Sequence, residues 1–401
     1  MMSISPTQDT RRIGLCIDPL DVLFFRDGRP FDAASRAYGG LPLPRTIAGS
    51  LRTALLQRNG FDFSKLQQGS PGSSPPPAAT TRERLIGLGA PGWILATRFR
   101  GPWLALRERS GRTLIPLLPS PATLLWSKSR KEWCRLYPWT QGLPGWTDKE
   151  MLPLWHRKTG DPKHPGGYLT LPGIFAFLRG EEPDKKTEWF DENDLFGYDD
   201  RTGIRVDAET LTAARGQIFG ARFLSLRPRV KKEGCGNEFE VVLYAEVILP
   251  AEAPQSDQQL VNGPIPLGGE GKYAGVKTED EPVSWACPDL PGQGDRSLWL
   301  LATPGIFGER AVEGRQSTPA DRPDAIHPPA KLRAAASLHP QAVSGWDIAM
   351  NGPRPTRFAV PAGSVYHVEG DFRPPGGSLC ASEELAAEGW GFALRGVWNH
   401  G

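Results

Sequence analysis

The sequence predicts an α+β fold made of two ferredoxin-like (RRM-like) βαββαβ domains with inserted loops and hairpins. Turn-forming residues are frequent, with 46 Gly and 40 Pro, and strand-like runs outnumber helical ones. Residues 13–25 are strand-like, and 46–59 carry apolar side chains at helical spacing. Strand-like segments follow at 93–106 and 113–126. Strand, helix, strand, strand is the order in which a βαββαβ unit begins.

The strongest hairpin signal lies in the second half of the chain. Residues 217–226 and 239–249 are strand-like and flank a turn at 231–237. A second unit is expected to begin near this hairpin. The sequence therefore predicts an N-terminal domain at 11–210 and a C-terminal domain at 211–401.

Weaker signals complete the assignment of elements. Strands are predicted at 297–303 and 364–369, and short helices at 331–338 and 382–387. A Gly, Ser and Pro run at 67–80 is predicted to be a disordered surface insertion without chemistry of its own.

Composition predicts a soluble, cytoplasmic protein with free thiols. No stretch approaches the roughly 18 apolar residues of a membrane span, and residues 1–12 lack the apolar segment of an export signal. The five cysteines lie far apart, without a Cys-x-x-Cys pair, which argues against zinc sites and disulfides. The six histidines stand singly, so neither a metal nor a cofactor is expected.

Positive charge is concentrated near the N-terminus. Up to Arg135 the chain has 20 Lys plus Arg against 9 Asp plus Glu, whereas the remainder has 27 against 36. Between Arg11 and Arg58 all eight basic residues are arginines. Arginine binds phosphate through its planar guanidinium and stacks on bases, so this pattern predicts a nucleic-acid partner.

Two kinds of segment are predicted to contact RNA phosphates. The first is the arginine-rich turn and helix start that follow the first strand, and the second is a pair of glycine-rich loops at 267–272 and 389–396. Glycine lets backbone N–H groups approach a phosphate chain closely. The loop at 267–272 is neither a dinucleotide fingerprint nor a P-loop, because no helix follows it and the required glycine spacing is absent. The predicted RNA-binding residues in these segments are Arg26, Arg29, Arg36, Arg45, Arg52, Gly268, Gly269, Lys272 and Arg395.

Seven segments, in the same order along the chain, carry a resemblance to a known family: 24–31, 44–52, 201–205, 266–270, 301–307, 345–347 and 360–366. Together they resemble RAMP-superfamily subunits of the type III-B CRISPR effector, the Cmr complex, and in particular the family of its third subunit. The resemblance runs from about residue 13 to the C-terminus, and it adds Arg201 to the predicted RNA-binding residues.

The resemblance implies two ferredoxin-like folds in a subunit that is not itself an enzyme. Such a subunit holds the 5′ handle of the CRISPR RNA and docks the large polymerase-like subunit, beside adjacent RAMP backbone subunits, in antiviral defence. A handle is single-stranded, so its bases can enter pockets while arginines hold its phosphates.

Other functions were weighed against this one. A RAMP-type, metal-dependent endoribonuclease would use Asp27 or Asp32, which lie in the loop after the first strand. A carboxylate beside arginines more plausibly orients the guanidiniums. CRISPR RNA processing is disfavoured because the first histidine, His156, lies beyond the N-terminal unit. A purely protein-binding scaffold stays open, as does the choice between partner, RNA and core contacts for the tryptophans at 126–155.

Overall fold

The computed structural model describes residues 10–25, 36–37, 40–67, 80–109, 113–206, 209–210, 212–231, 238–254, 262–291, 295–308 and 322–398. Within these ranges the chain has an α+β fold with mostly antiparallel sheets and few helices, as the sequence predicts at this coarse level.

The helices are short, apart from one of 15 residues that begins at a proline. Proline suits the first turn of a helix, where its missing N–H is not needed. The helices are α1 (Pro44–Arg58), α2 (Ser64–Gln67), α3 (Thr81–Gly87), α4 (Gly92–Ala96), α5 (Leu171–Arg179), α6 (Glu192–Leu195) and α7 (Glu383–Glu388).

Strands account for most of the regular structure. They are β1 (Arg11–Pro19), β2 (Arg36–Ala37), β3 (Arg98–Glu108), β4 (Leu114–Pro119), β5 (Leu124–Ser127), β6 (Glu132–Arg135), β7 (Tyr137–Pro138), β8 (Leu154–Trp155), β9 (Tyr168–Thr170), β10 (Trp189–Phe190), β11 (Phe196–Val206), β12 (Ala213–Leu226), β13 (Val230–Lys231), β14 (Glu238–Leu249), β15 (Gly263–Pro266), β16 (Tyr273–Thr278), β17 (Arg296–Leu301), β18 (Lys331–Ala336), β19 (Gln341–Val343), β20 (Trp346–Asp347), β21 (Gly352–Pro353), β22 (Arg357–Ala359), β23 (Val365–Glu369) and β24 (Ala393–Gly396).

The largest sheet has the strand order β10-β9-β4-β3-β14-β1-β16-β15, with β13 beside β14. All of its pairs are antiparallel. Strand β1 lies between β14 and β16, so this sheet crosses the border predicted between residues 210 and 211. In a βαββαβ unit the first and third strands lie at the centre of the sheet. In the order β16-β1-β14-β3 these would be β1 and β14, and α1 would be the first helix of the unit.

The C-terminal sheet has the order β18-β23-β17-β24 and is also antiparallel. Its strand order matches that of a βαββαβ unit, with α7 between the third and fourth strands. Among the described residues, each of the two sheets has one of the two helices that such a unit contains.

The core forms on both faces of the large sheet. On one face α1 packs through Ile47 and Leu51 against side chains such as Leu243 of β14. On the opposite face Val242 and Tyr244 of β14 join the layer that contacts α5 and the C-terminal sheet. Because alternate residues of β14 are buried on opposite faces, its sequence is almost continuously apolar.

Two predicted elements are wrong. Residues 217–226 do not form a hairpin with 239–249, because β12 pairs with β11 whereas β14 pairs with β3 and β1. Residues 331–338 contain strand β18 instead of a helix, since this segment adds to the edge of β23. Their alanines favour a helix locally, and sheet pairing overrides that preference.

Other predictions are confirmed. The first helix is α1, the pair of strands after it is β3 and β4, and the last short helix is α7. Four cysteines are free thiols and Cys235 lies outside the described residues, as do residues 68–79 of the predicted insertion. No helix in the described part of the chain has the length and apolar character needed to cross a membrane.

Candidate nucleic-acid interface

The loop between β15 and β16 lies against the segment that leaves β1. The N–H of Gly269 donates to the carbonyl of Phe24 at 2.9 Å, and the ammonium of Lys272 is 2.8 Å from an Asp21 carboxylate oxygen. Lys272 and Asp21 are 251 residues apart in sequence. We call the area formed by residues 20–25, the loop 267–273 and the facing parts of β11 and β12 the glycine-loop surface.

Close packing on Phe24 explains two glycines of this loop. Gly268 has a φ of +82°, and a Cβ there would lie 2.4 Å from the Phe24 carbonyl oxygen. A Cβ on Gly269 would lie 3.0 Å from the Phe24 ring. Gly271 also has a positive φ, +63°, but faces open space. The first two glycines therefore let the loop backbone approach the chain after β1.

Two cations lie over one aromatic ring at the centre of this surface. The ring of Phe223 on β12 packs against Phe24 at 5.2 Å between centroids. The guanidinium of Arg201 lies 4.8 Å from the Phe223 centroid, and the Lys272 ammonium lies 5.4 Å from it. These distances are typical of cation–π contacts, which hold both positive groups near the β11–β12 hairpin.

Both cations of the surface also have a carboxylate partner. Arg201 is 2.7 Å from Asp199, which is 45% exposed, and the partner of Lys272, Asp21, is 61% exposed. The hydrogen bond from Lys272 is the main cause that lowers the pKa of Asp21. Ion pairs whose carboxylates are open to solvent contribute only about 0–1 kcal/mol each, so an RNA phosphate can compete with these carboxylates for the cations.

The chain leaves the described range, and enters it again, beside the glycine-loop surface. Phe25 is the last described residue before residues 26–35, and Phe25 is buried. The chain is described again at Arg36, where β2 runs parallel to β12 opposite Gly220. Arg26 and Arg29 lie outside the described residues, between these two points, and only the backbone of Arg36 is described.

Arg45 and Arg52 lie at a different place. Arg45 forms an ion pair of 2.8 Å with Glu388 at the end of α7. The guanidinium of Arg52 is 5.2 Å from the ring of Phe99 on β3, and burial is the main cause that lowers its pKa. These two arginines join α1 to α7 and β3. Arg26 and Arg29, with which they were grouped in the prediction, lie outside the described residues.

Arg395 lies within a sheet and not on an open loop. It belongs to β24 and pairs with Trp299 of β17, and it is half-buried. The glycines before it are also packed, since a Cβ on Gly389 would lie 3.1 Å from the Phe99 carbonyl oxygen. The second half of the segment 389–396 is therefore a strand of the C-terminal sheet.

Phe24, Phe223 and the carboxylates of the glycine-loop surface were not predicted as site residues. Phe223 comes from β12, whose pairing was predicted wrongly. On the other face of the β11–β12 hairpin, Arg222 lies 5.3 Å from the centre of the Tyr198 ring. Alternation of polar and apolar residues along 196–206 is the sequence signal that could have found this hairpin.

The predicted catalytic alternative has little structural description. Asp27 and Asp32 lie outside the described residues. In the described part of the chain, no three His, Cys, Asp or Glu side chains are grouped as a metal ion would require.

The tryptophans at 126–155 divide between core and surface. Trp133 is buried and packs against Trp126 at 4.8 Å between ring centroids. Trp146 and Trp155 are 47% and 49% exposed. Lys185 lies over both inner tryptophans, so this part of the segment packs against its own chain.

The structure is thus that of an α+β protein with two antiparallel main sheets, in which the glycine-rich loop between β15 and β16 lies against the arginine-bearing β11–β12 hairpin. The family model for CRISPR-associated protein (Cas_Cmr3) matches residues 15–398, nearly the whole chain. The chain therefore belongs to the Cas_Cmr3 family, which confirms the resemblance to the third subunit of the type III-B Cmr complex.

Solved structures similar to this chain include two from one complex. One is the cryo-EM structure of the type III-B Cmr-beta bound to cognate target RNA and AMPPnP in state 1, with 16% sequence identity and a TM-score of 0.46. The other is the same complex bound to cognate target RNA alone, with 16% identity and a TM-score of 0.47. In each, 88% of this chain and 86% of the other are covered. A comparison with curated proteins found no match.

Proposed function

We propose that this chain is a non-catalytic RNA-binding subunit of a type III-B CRISPR effector in the cytoplasm. Its glycine-loop surface holds the 5′ handle of the CRISPR RNA, while other surfaces dock the large polymerase-like subunit and adjacent RAMP backbone subunits. One ferredoxin-like unit contains β1, β3, β14 and β16 and the other contains β17, β18, β23 and β24, which agrees with the strand orders of the two sheets.

One observation carries this proposal. Arg201 and Lys272 come from distant parts of the chain and meet over the ring of Phe223, on the hairpin strand that pairs with β2. Converging cations around an aromatic platform are what single-stranded RNA requires, because phosphates need positive charge and bases need flat surfaces.

An exposed aromatic ring at this surface supplies a place for a base. Tyr273 is 49% exposed next to Lys272. Stacking of one base on one such ring contributes roughly 1–3 kcal/mol. In this proposal a base of the handle stacks on Tyr273 while its phosphates replace the carboxylate partners of Arg201 and Lys272.

Target-RNA cleavage through Asp27 or Asp32 is not part of the proposal. The residues that do meet at this surface are cations and aromatic rings, which bind RNA without needing a nucleophile. The carboxylates there are paired with the neighbouring Lys272 and Arg201.

A binding experiment tests the proposal. The purified chain, alone and with the large subunit, is titrated against labelled guide RNA that has or lacks the 5′ handle, with and without divalent metal. Handle-dependent binding of RNA that stays intact is the expected result. Equal binding of both RNAs, or metal-dependent fragments, would contradict it.

A further inference from the structure

Three arginines lie on one face of the large sheet, at the end where β1 and β3 begin. Arg12 of β1 and Arg98 of β3 flank Ile248 of β14 in one row across three strands. Arg100 lies two residues further along β3. Residues directly opposite each other, and residues two apart on one strand, point to the same face of a sheet. Arg12, Arg98 and Arg100 therefore share a face, and we call them the arginine cluster.

The arginine cluster is separate from the glycine-loop surface. Residues 20–25 of that surface follow the last residue of β1, whereas Arg12 is the second residue of the strand. A strand rises about 3.3 Å per residue, so Arg12 and Pro19 are roughly 23 Å apart. The two groups of cations therefore cannot contact the same phosphate.

Contacts with the C-terminal part of the chain hold two of the arginines. The Arg100 guanidinium lies 4.6 Å from the centre of the Phe392 ring, and it donates a hydrogen bond of 3.4 Å to the carbonyl of Gly376. Gly376 also lies against Arg98, because a Cβ on this glycine would be 2.9 Å from a nitrogen of the Arg98 guanidinium. Side chains that are already ordered lose less entropy when a ligand binds.

The carboxylates beside the arginine cluster are too few and too distant to compensate it. Glu246 of β14 lies 3.9 Å from Arg12 and 3.8 Å from Arg100. Glu383, at the start of α7, lies 3.5 Å from Arg98. Charge-assisted hydrogen bonds are about 2.7–2.9 Å long, so all three ion pairs are loose. In the part of the chain that the structure describes, three guanidiniums therefore share two carboxylates within 4 Å.

Glu246 is buried and hydrogen-bonded to other groups. Its Oε1 accepts hydrogen bonds from the hydroxyl of Tyr244 at 3.1 Å and from the indole N–H of Trp285 at 2.8 Å. Burial is the main cause that raises the pKa of Glu246, although Arg12 and Arg100 act in the opposite direction. The arginine side chains themselves are 22–32% exposed, so an anion from solvent can reach them.

We propose that Arg12, Arg98 and Arg100 bind a phosphate group of an RNA strand outside the handle. This inference rests on the proposed function, because it requires the chain to be bound to RNA. Guanidinium groups pair well with phosphate oxygens through their planar fork of donors. Burial is the main cause that lowers the pKa of Arg100, and the like charges of Arg12 and Arg98 lower it further. A bound phosphate would offset this repulsion.

A phosphate fits the arginine cluster better than an acidic protein side chain does. A carboxylate has two oxygens, which one guanidinium can bind in a bidentate pair, whereas a phosphate presents oxygens in several directions to three guanidiniums. Protein interfaces also need an apolar centre. Among the described residues, none of the large exposed apolar side chains belongs to β1, β3 or the segment 374–383.

Arginine footprinting of the full chain tests this inference. Phenylglyoxal modifies accessible arginines, and mass spectrometry gives the rate of modification at each position. An oligoribonucleotide without the handle should slow modification of Arg12 and Arg98 about fivefold or more, while the control positions Arg109 and Arg373 keep their rates. Each control is exposed and lies 3.6 or 4.0 Å from one carboxylate. Unchanged rates at Arg12 and Arg98 would overturn the inference.

Further samples identify the source of the phosphate. Equal protection by a mononucleotide or by inorganic phosphate, at the same phosphate concentration, would overturn the assignment to an RNA strand. Protection that requires other effector subunits and not RNA would assign the arginine cluster to a protein partner and overturn the inference. Arg201 reports on the glycine-loop surface in samples with handle-bearing RNA. Protection of the arginine cluster without Arg201 would contradict the proposed handle site alone, and the reverse pattern would overturn this inference alone.

Substitutions provide a second, independent measurement. Arg12→Gln with Arg98→Gln removes two positive charges and should weaken binding of the handle-free oligoribonucleotide about tenfold or more. Arg109→Gln with Arg373→Gln removes the same charge elsewhere and is the matched control. An equal loss of affinity in the control, or wild-type affinity in the folded Arg12 and Arg98 variant, would overturn the inference.

Removal of a nearby carboxylate should have the opposite effect. Glu383 is 89% exposed, so Glu383→Gln frees Arg98 without disturbing the core and should strengthen oligoribonucleotide binding about twofold. Glu384→Gln, at the next position of α7, should leave the affinity unchanged. Weaker binding by Glu383→Gln than by Glu384→Gln would contradict a phosphate at the arginine cluster.

Discussion

Arginine has different roles at the glycine-loop surface and at the junction between α1 and α7. At the glycine-loop surface Arg201 is 47% exposed and its partner Asp199 is 45% exposed. At the junction Arg45 and its partner Glu388 are 19% and 6% exposed. An exposed pair costs little to open, whereas a buried pair is expensive to break. An arginine can therefore bind RNA where its carboxylate partner is exposed, and not where that partner is buried.

The largest expected effect is on handle binding. Arg201→Ala combined with Lys272→Ala removes two charge-assisted contacts, each worth about 1.5 kcal/mol or more. The affinity for RNA with a handle should therefore fall by about 3 kcal/mol, which a fluorescence anisotropy titration measures. Arg373→Ala is the matched control, since Arg373 also faces an aspartate two residues before it, Asp371, and is 85% exposed. An equal loss in the control would remove the glycine-loop surface from the RNA site.

A loss of stability is expected at the junction. Glu388→Ala leaves Arg45 without its carboxylate and also removes the acceptor of the Trp390 indole N–H. Breaking a buried ion pair costs about 3 kcal/mol in the free energy of unfolding. Denaturant unfolding measures this change, and handle affinity of the folded variant should not alter. If Glu388→Ala kept wild-type stability but bound the handle more weakly, the junction would belong to the RNA site and the comparison would be wrong.

A smaller difference in stability is expected between substitutions at two glycines of the loop between β15 and β16. Gly268→Ala meets both a positive φ and the Phe24 carbonyl oxygen, so it should cost about 2 kcal/mol in stability and displace the loop. Gly271→Ala has a similar φ and open space, so it should cost about 1 kcal/mol. Thermal unfolding and handle titration of both variants measure the difference. Equal values would mean that packing on Phe24 does not position the loop.

The smallest expected effect is a pH dependence of stability that arises from the buried His367. Burial lowers the pKa of His367 to about 3, with Arg135 as a further cause. Since the unfolded chain takes up the proton near pH 6.5 and the folded chain does not, the free energy of unfolding should fall as pH drops through this range. A decrease of about 1 kcal/mol is expected between pH 6.5 and 5.5. His367→Gln should flatten the dependence, whereas His327→Gln, at an exposed position, should not. If the free energy of unfolding of His367→Gln still fell with pH, another titrating group would be the cause.

Elements fixed by contacts between residues close in sequence could be predicted, whereas those fixed by contacts between residues far apart in sequence could not. The helix α1 and the β3–β4 pair follow from local patterns, so they were predicted. Strand β12 pairs with β11, the strand just before it, whereas β14 pairs with the distant strands β3 and β1, and the apolar residues of 217–226 and 239–249 do not reveal this difference. Arg45 was predicted to bind RNA, yet its partner Glu388 is 343 residues away. No local pattern distinguishes Arg45 from Arg201.

The candidate site shows the same limit. The glycine-rich loop and Lys272 were predicted because glycine and charge are visible in one short segment. The contact between Phe24 and Phe223 was not predicted, since it forms only where β12 lies beside the chain after β1, at the bridge between Leu23 and Leu224. Predicted strand order alone could not supply that contact, because β-sheet pairing is set by the whole fold.

The most direct test of the central claim is the salt dependence of handle binding by three chains: wild type, Arg201→Ala with Lys272→Ala, and Arg45→Ala. Each lost phosphate contact lowers the slope of log affinity against log salt by about 0.7 for single strands. The double variant should therefore lose about 1.4 of slope relative to wild type, and Arg45→Ala should keep the wild-type slope. A wild-type slope in the double variant, or a reduced slope in Arg45→Ala, would contradict the assignment of RNA binding to the glycine-loop surface.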